Sequence, residues 1–313
     1  MELIRVEHIS KHFQKQQAVD DISFNVNKGE LLGLLGPNGA GKSTTISMIS
    51  TLLKPDSGEI FYADTSILSK PKVIQESLGY VPQEIALYPM LSGKDNLSFW
   101  GRNYGIKGAL LKKKIDEVSE IIGINGRLKD KVKTYSGGMK RRLNIGAALL
   151  HNPEIIIMDE PTVGIDPQSR NHILDTVLEL NKRGMTVIYT SHYMEEVEYL
   201  CDRICIMDHG KIIADGTKAQ LLEQYDRTKS IHLKTESNGP ELLDKIKALQ
   251  DVLSIEYNTD TRVITIQTSG DKWIFKNIVD LLHKDNIGIL SMELEQPNLE
   301  TVFLNLTGRI LRD

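Results

Sequence analysis

Residues 36–43 read GPNGAGKS, which fits the spacing G-x-x-x-x-G-K-[ST] of a phosphate-binding loop. Glycines let successive backbone N–H groups point at phosphate oxygens, and the helix start that follows adds partial positive charge. A glycine-rich turn without a ligand is the alternative, but a buried strand before the loop and a helix after it favour phosphate binding. The candidate nucleotide-binding residues here are Gly36, Pro37, Asn38, Gly39, Ala40, Gly41, Lys42, Ser43 and Thr44.

Lys42 is placed to reach the β- and γ-phosphates of a nucleotide, and the Ser43 hydroxyl is placed to ligate Mg²⁺. Two carboxylates, Asp159 and Glu160, end the apolar stretch EIIIMDEP. Acidic residues at the carboxyl end of a parallel strand face the crevice where such sheets bind ligands. Asp159 suits a Mg²⁺ contact, and Glu160 suits a base that orients or deprotonates water.

His192 ends the next strand, in VIYTSHYMEE. A lone histidine is usually structural, but a position one strand beyond Glu160 favours a neutral imidazole that donates to a γ-phosphate. The two residues together are therefore the candidate catalytic pair.

A second glycine-led helix start lies at residues 134–150, TYSGGMKRRLNIGAALL. Ser136 is a favoured N-cap, and Gly137 and Gly138 leave the N–H groups of the first turn open, so this is a second candidate anion-binding helix end. The apolar residues recur at helical spacing. The basic run Lys140, Arg141, Arg142 is interpreted as a solvated face.

These residues need a scaffold of strands and helices that alternate. Short strands are predicted within residues 1–35, a largely helical segment within 72–134, and a strand–helix alternation from 134 to about 216. Alternation predicts an α/β fold with a parallel sheet covered on both faces. From about 229 the order becomes βαββαβ with a closing helix, the ferredoxin-like α+β pattern, with NTDT as a turn between two strands.

With 313 residues, the chain is expected to form two domains, 1–224 and 225–313, with the boundary between 220 and 228. The net charge of −4 argues against a nucleic-acid partner bound through bulk charge. Cys201 and Cys205 are expected to be unpaired, buried thiols. No signal peptide or apolar run of spanning length is found, so a cytoplasmic location is expected.

Five motifs in one order resemble the nucleotide-binding subunit of an ABC transporter: GPNGAGKS, YVPQE, YSGGM, IIIMDEP and TSH. The resemblance covers about residues 2–220. It implies a P-loop NTPase fold with an N-terminal antiparallel β subdomain and a helical subdomain at about 85–135, and it implies ATP and Mg²⁺ as ligands. It also implies that Phe13 stacks on adenine, that Gln83 joins Ser43 and Asp159 around the metal, and that Asp166 in GIDP belongs to the D-loop.

The segment LYPMLSGKDNLSFWGRNYGI and the tail EQPNLETVFLNLTG are similar to the ATPases of type-2 exporters, which include drug and antibiotic efflux systems. The resemblance implies an ATPase that energises efflux through a separate integral membrane permease. It also implies a head-to-tail dimer in which Ser136–Gly138 of one copy faces the phosphate loop of the other. The subunit would then sit peripherally on the cytoplasmic face of the membrane.

Two alternatives remain open at this point. A soluble ABC ATPase acting on nucleic acid or ribosomes is disfavoured, because residues 42 and 135 are not separated by a long coiled coil and the chain carries one cassette. An importer ATPase is disfavoured because carbohydrate importers append β-barrel domains, whereas this tail has the βαββαβ pattern.

Overall fold

The structure, a computed structural model, describes residues 1–14, 16–225, 229–237, 239–269, 274–294 and 298–307. The described residues divide into two compact units, one of residues 1–218 and one of residues 219–307. Of the predicted boundary segment, 220–228, residues 226–228 lie outside the described residues.

The first unit alternates strands and helices for most of its length. In chain order its elements are β1 (Glu2–Phe13), β2 (Gln16–Asn27), β3 (Leu31–Leu35), α1 (Lys42–Ile49), β4 (Ser57–Tyr62), β5 (Thr65–Ser66), α2 (Lys72–Gln75), β6 (Leu78–Val81), α3 (Gly93–Asn103), α4 (Gly108–Ile121), α5 (Gly137–Leu149), β7 (Ile155–Asp159), α6 (Pro167–Lys182), β8 (Thr186–Ser191), α7 (Met194–Leu200), β9 (Arg203–Asp208), β10 (Lys211–Gly216) and α8 (Lys218–Tyr225). Helix α8 runs across the division between the units.

Two sheets organise this unit. Strands β2, β1, β4 and β5 form an antiparallel sheet in that order, which confirms the predicted N-terminal β subdomain. The larger sheet has the order β10-β9-β3-β8-β7-β6, parallel throughout except for the β9–β10 hairpin. Strands β3, β7 and β8 are buried at every residue, as strands covered on both faces must be. Their carboxyl ends meet at one edge.

The segment 72–134 is less uniformly helical than its sequence predicts. Helices α3 and α4 lie there, and Ser92 caps α3 by accepting the N–H of Asp95. Strand β6 also lies there and pairs in parallel with β7. A run of four residues is too short to show the alternation of a strand, so no pattern in the sequence predicts β6.

The second unit confirms the predicted βαββαβ order. Its elements are β11 (Lys229–Thr235), α9 (Pro240–Lys247), β12 (Val252–Asn258), β13 (Val263–Thr268), α10 (Ile274–Lys284), β14 (Ile289–Leu294) and α11 (Leu299–Thr307). The antiparallel sheet has the order β12-β13-β11-β14, the ferredoxin-like arrangement. In the predicted NTDT turn, the Asn258 side chain accepts the N–H groups of Asp260 and Thr261.

Each unit has its own apolar core. Two clusters fill the first unit around its sheets, and a third, which includes Ile231, Ile266 and Ile278, lies within the second. Cys201 and Cys205 are free thiols, as predicted, and burial raises the pKa of both. Among the described residues, no helix has the length and apolar character needed to cross a membrane.

Candidate nucleotide site

The phosphate-binding loop connects β3 to α1, as the sequence predicts. The backbone at Gly39 and Gly41 has positive φ values of 82° and 103°, which favour glycine. At Gly41 a Cβ atom would also lie 2.5 Å from the carbonyl oxygen of Ala18, so no other residue fits there without a shift. The loop thus presents its backbone to the cleft immediately before the helix start.

Lys42 is 4% exposed and directs its ammonium group back over this loop. Its Nζ donates to the carbonyls of Gly36 at 2.7 Å and Pro37 at 3.1 Å, and lies 3.2 Å from Glu160 Oε1. Burial lowers the pKa of Lys42, although the charge of Glu160 opposes that shift. The predicted phosphate-binding cation is therefore in the loop's centre and already paired.

Ser43 and Asp159 meet at the base of the loop. Ser43 Oγ donates to Asp159 Oδ1 at 3.1 Å, and Thr190 at the end of β8 donates to the same oxygen at 2.8 Å. Burial raises the pKa of Asp159 despite these hydrogen bonds. A buried carboxylate beside a hydroxyl is an oxygen donor set of the kind that Mg²⁺ prefers, so these residues fit the predicted metal.

Three other candidate site residues lie close to the carboxylate of Glu160. It is 5% exposed, and its φ of 44° is unusual for a residue other than glycine. Besides Lys42, its carboxylate receives Gln83 Nε2 at 3.1 Å and lies 3.4 Å from His192 Nδ1. That imidazole nitrogen is buried and makes no hydrogen bond in the described part of the chain. Residues from three other segments thus surround one carboxylate.

Phe13 lies at the end of β1, with 47% of its surface exposed. It lines a cleft of about 320 Å³ together with the phosphate-binding loop, Gln83 and Glu160. An exposed ring at the rim of a phosphate cleft is a suitable stacking surface for a base. Its role with adenine remains a prediction.

The second helix start lies apart from this cleft. Ser136 caps α5 by accepting the N–H of Met139 at 3.2 Å, as predicted, and lines a different pocket with residues of α6. Asp166 caps α6 by accepting the N–H of Ser169 at 2.9 Å, a bond that lowers the pKa of Asp166. Gly138 packs against Ser169. The structure therefore brings the signature motif and the D-loop together, but not into the cleft that holds Lys42 and Glu160.

The interpretation of the basic run 140–142 as a solvated face is wrong for Arg141, which is 4% exposed. Its guanidinium donates to the carbonyls of Pro82 at 2.8 Å and Gln83 at 2.6 Å. Arg142 is half-buried and donates to the carbonyls of Ile122 and Gly123, both at 3.1 Å. Helical spacing places Arg141 outside the predicted apolar stripe, but the loop after β6 covers it.

The sequence also missed Glu196, a buried carboxylate in the first turn of α7. It accepts hydrogen bonds from Thr162 at 2.8 Å, Tyr189 at 2.9 Å and Ser191 at 3.0 Å. Ser191 Oγ in turn accepts the N–H of Tyr193. This network ties together the turns that carry Glu160 and His192. No spacing rule indicates it, because its hydroxyl donors come from two different strand ends.

Comparison with known proteins relates the chain to one family. The family profile described as ABC transporter matches residues 19–163. The linearmycin resistance ATP-binding protein LnrL of Bacillus subtilis (strain 168) is 50% identical over 311 residues, which cover 99% of this chain and 100% of LnrL. The doxorubicin resistance ATP-binding protein DrrA of Mycobacterium tuberculosis is 35% identical, over 93% of this chain and 88% of DrrA.

Solved structures agree with these relatives. The ATP binding subunit of an ABC transporter superposes with a TM-score of 0.64 at 29% identity, covering 71% of this chain and 93% of that one. An ATP-binding cassette of an ABC transporter in its ADP conformation also gives a TM-score of 0.64 at 29% identity, covering 72% and 94% of the two chains.

Proposed function

The chain belongs to the ATP-binding subunits of ABC transporters and hydrolyses ATP, and from that premise we propose that it energises export of an amphipathic compound through a separate membrane permease. The observation that carries the proposal is the presence of two helix starts suited to anions, only one of which lies in the cleft with Lys42 and Glu160. One chain therefore offers two half-sites: the cleft that holds Lys42 and Glu160, and the separate helix start at Ser136–Gly138.

In the proposed site, ATP lies along the phosphate-binding loop, with Phe13 against the base. Lys42 exchanges its bonds to the loop carbonyls for phosphate oxygens. Ser43, Asp159 and Gln83 would hold Mg²⁺, which when bound neutralises developing charge on the phosphates. Asp159 must be ionised to serve, and Thr190 stabilises that state by its hydrogen bond.

Glu160 acts as the base that orients the attacking water and accepts its proton. The base is preorganised, since Gln83 donates a hydrogen bond to its carboxylate and the His192 imidazole lies 3.4 Å from it. His192 senses the γ-phosphate from the end of the neighbouring strand. Burial of these groups excludes bulk water and strengthens each electrostatic contact.

A second copy of this chain completes each site in the proposal. The helix start at Ser136–Gly138 closes over the γ-phosphate bound by the partner, and Asp166 lies in the same interface. The open first turn of α5 and its N-cap make this end a donor surface for an anion. Dimerisation therefore depends on ATP, because the phosphate occupies both half-sites at once.

The permease is proposed to dock on an exposed aromatic cluster at residues 88–100. Tyr88 and Phe99 are 47% and 37% exposed, and their ring centroids are 4.9 Å apart. Trp100 continues the cluster, with its ring centroid 5.4 Å from that of Phe99. Exposed aromatic groups of this kind suit a protein interface. Docking there would hold the subunit on the cytoplasmic face of the membrane.

The drug resistance names of the relatives support an exporter with a drug-like or antibiotic cargo, and the ferredoxin-like second unit supports an exporter over a carbohydrate importer. The single cassette and its net charge of −4 give no support to a role on nucleic acid.

The variant Glu160→Gln tests the proposed site. It keeps the size of the side chain but removes the base, so we expect ATP turnover to fall by at least about 10²-fold, within the range of general-base catalysis. ATP binding should persist, and size-exclusion chromatography with ATP should show a stable dimer. Glu154→Gln, at the opposite end of β7, is the matched control and should turn over normally. Wild-type turnover by Glu160→Gln would reject the assignment.

A further inference from the structure

The loop that follows β6 is held along its backbone by side chains from two helices. Arg141 of α5 donates to the carbonyls of Pro82 and Gln83. Asn144, one turn further along α5, accepts the N–H of Ala86 at 3.2 Å through Oδ1. Trp100 of α3 donates its indole N–H to the carbonyl of Ala86 at 3.2 Å. We call the contacts of Arg141, Asn144 and Trp100 with residues 82–86 the loop clamp.

Arg141 is the central member of the loop clamp. It is buried, and in the described part of the chain no carboxylate forms an ion pair with it; its two terminal nitrogens donate to two carbonyl oxygens, whereas its buried Nε has no partner there. Burying a cation is costly unless its hydrogen bonds are made. The planar guanidinium reaches both carbonyls from one fixed geometry, which the single ammonium of lysine cannot reproduce. The position is therefore selective for arginine on physical grounds.

The other side of the same loop faces the catalytic carboxylate. Gln83, whose carbonyl Arg141 holds, donates its side-chain amide to Glu160 Oε2 at 3.1 Å. The two contacts are made by the backbone and the side chain of one residue. A displacement of the peptide at 82–83 must therefore change where the Gln83 amide lies relative to Glu160.

We propose that Arg141 is a positioning residue for ATP hydrolysis, which fixes Gln83 against Glu160 by holding the carbonyls of residues 82 and 83. Arg141 lies five residues after Ser136 on α5. One helix thus sets both the geometry of this chain's own cleft and the helix start offered to the partner's ATP. The inference rests on the proposed roles of Gln83 and Glu160.

A double-mutant cycle between Arg141→Lys and Gln83→Ala tests this inference in the full-length protein. Partners outside the direct ligand shell of a metal site typically contribute about 10- to 100-fold to activity. We expect Arg141→Lys to lower kcat by about tenfold with a smaller change in KM for Mg·ATP, since the loss concerns orientation. In the Gln83→Ala background the same change should cost less than about twofold, because its target has been removed.

Arg142→Lys is the matched control: Arg142 also lies on α5 and donates to two backbone carbonyls, but these belong to Ile122 and Gly123 and not to the Gln83 loop. Its effect, whatever its size, should multiply with that of Gln83→Ala. Trp100→Phe removes the indole N–H that contacts the loop but keeps an aromatic side chain. This variant replaces Arg141→Lys in the test if Arg141→Lys does not fold. It should show the same non-additivity with Gln83→Ala.

The outcomes separate this inference from the proposed function. The positioning role alone would be overturned if Arg141→Lys lowered kcat by the same factor with and without Gln83→Ala. It would also be overturned if Arg141→Lys kept the wild-type kcat while Gln83→Ala was impaired. Wild-type kcat in Gln83→Ala would remove the proposed role of Gln83, and the inference with it.

Discussion

Asp159 is a single residue whose suitability for a cation lowers the stability of the fold. The carboxyl is buried between Ser43 and Thr190, and burial raises its pKa even though both hydroxyls donate to it. A carboxyl whose pKa is higher in the folded than in the unfolded chain lowers stability as pH rises above its ordinary value near 3.8. The ionised form of Asp159 thus costs stability and is the form that can hold a cation.

We expect Asp159→Asn to raise the Tm of the nucleotide-binding unit at pH 7 by about 2–4 °C, the shift that about 1 kcal/mol produces in a domain of this size. The gain should vanish well below pH 3.8, where the wild-type carboxyl is protonated in both the folded and the unfolded chain. Mg·ATP should stabilise the wild type but not the variant. Calorimetry against pH measures all three effects.

Asp116→Asn, which removes an exposed charge on α4, is the control and should leave Tm nearly unchanged. A variant at position 159 that is less stable than the wild type at pH 7 would contradict the electrostatic argument.

The residues that sequence could predict are those whose role is local. Lys42 and Ser43 are fixed by spacing within one loop, and Ser136 by its place before a helix. The burial of Arg141 was not predicted, because its partners lie 58 and 59 positions away, at Gln83 and Pro82. Whether an arginine in a helix is solvated or buried depends on the element that covers it, and periodicity within the helix carries no such information.

At the scale of elements, the close approach of α5 and α6 depends on Gly138. A Cβ atom at position 138 would lie 2.2 Å from Ser169 Oγ and 2.3 Å from Ser169 Cβ. At Gly137 the nearest atom, Ile165 Cδ1, is 3.6 Å away, which is ordinary van der Waals contact. Two adjacent glycines of one motif therefore differ in what they permit: the second allows the signature helix to pack on the D-loop helix.

We predict that Gly138→Ala destabilises the first unit by about 1–3 kcal/mol, the usual cost of overpacking. Gly137→Ala is the matched control and should be near neutral. Adding Ser169→Gly to Gly138→Ala should recover part of the loss, since it removes both clashing atoms. Denaturant unfolding of the four proteins measures this, and equal stability of the two alanine variants would refute the packing argument.

The long, patterned elements were predictable, whereas short ones were not. Strands β3, β7 and β8 and the βαββαβ order of the second unit follow from runs of apolar residues and their turns. Strand β6 is stabilised by its pairing with β7 and not by a pattern of its own.

At the scale of the whole molecule, the two units have separate cores. A unit with its own core can unfold as a cooperative step of its own. The nucleotide cleft lies entirely within the first unit, so ATP can stabilise only that step directly.

We therefore expect two calorimetric transitions, of which Mg·ATP raises only one. Ile266→Ala, in the core of the second unit, should lower the other, and Ile156→Ala in β7 should lower the nucleotide-sensitive one, each by about 2–5 kcal/mol of unfolding free energy. The two variants are controls for each other. A single transition that shifts with every variant and with ligand would show that the units unfold together.

The position of Lys42 has a consequence for how the protein binds nucleotide. Because this ammonium is already buried and bonded to the carbonyls of Gly36 and Pro37, the cost of removing it from water has been met during folding. In the proposed site, nucleotide binding is then a substitution in which phosphate oxygens replace carbonyl oxygens around a fixed cation. The backbone carbonyls of the loop would thus compete with phosphate for the Lys42 ammonium.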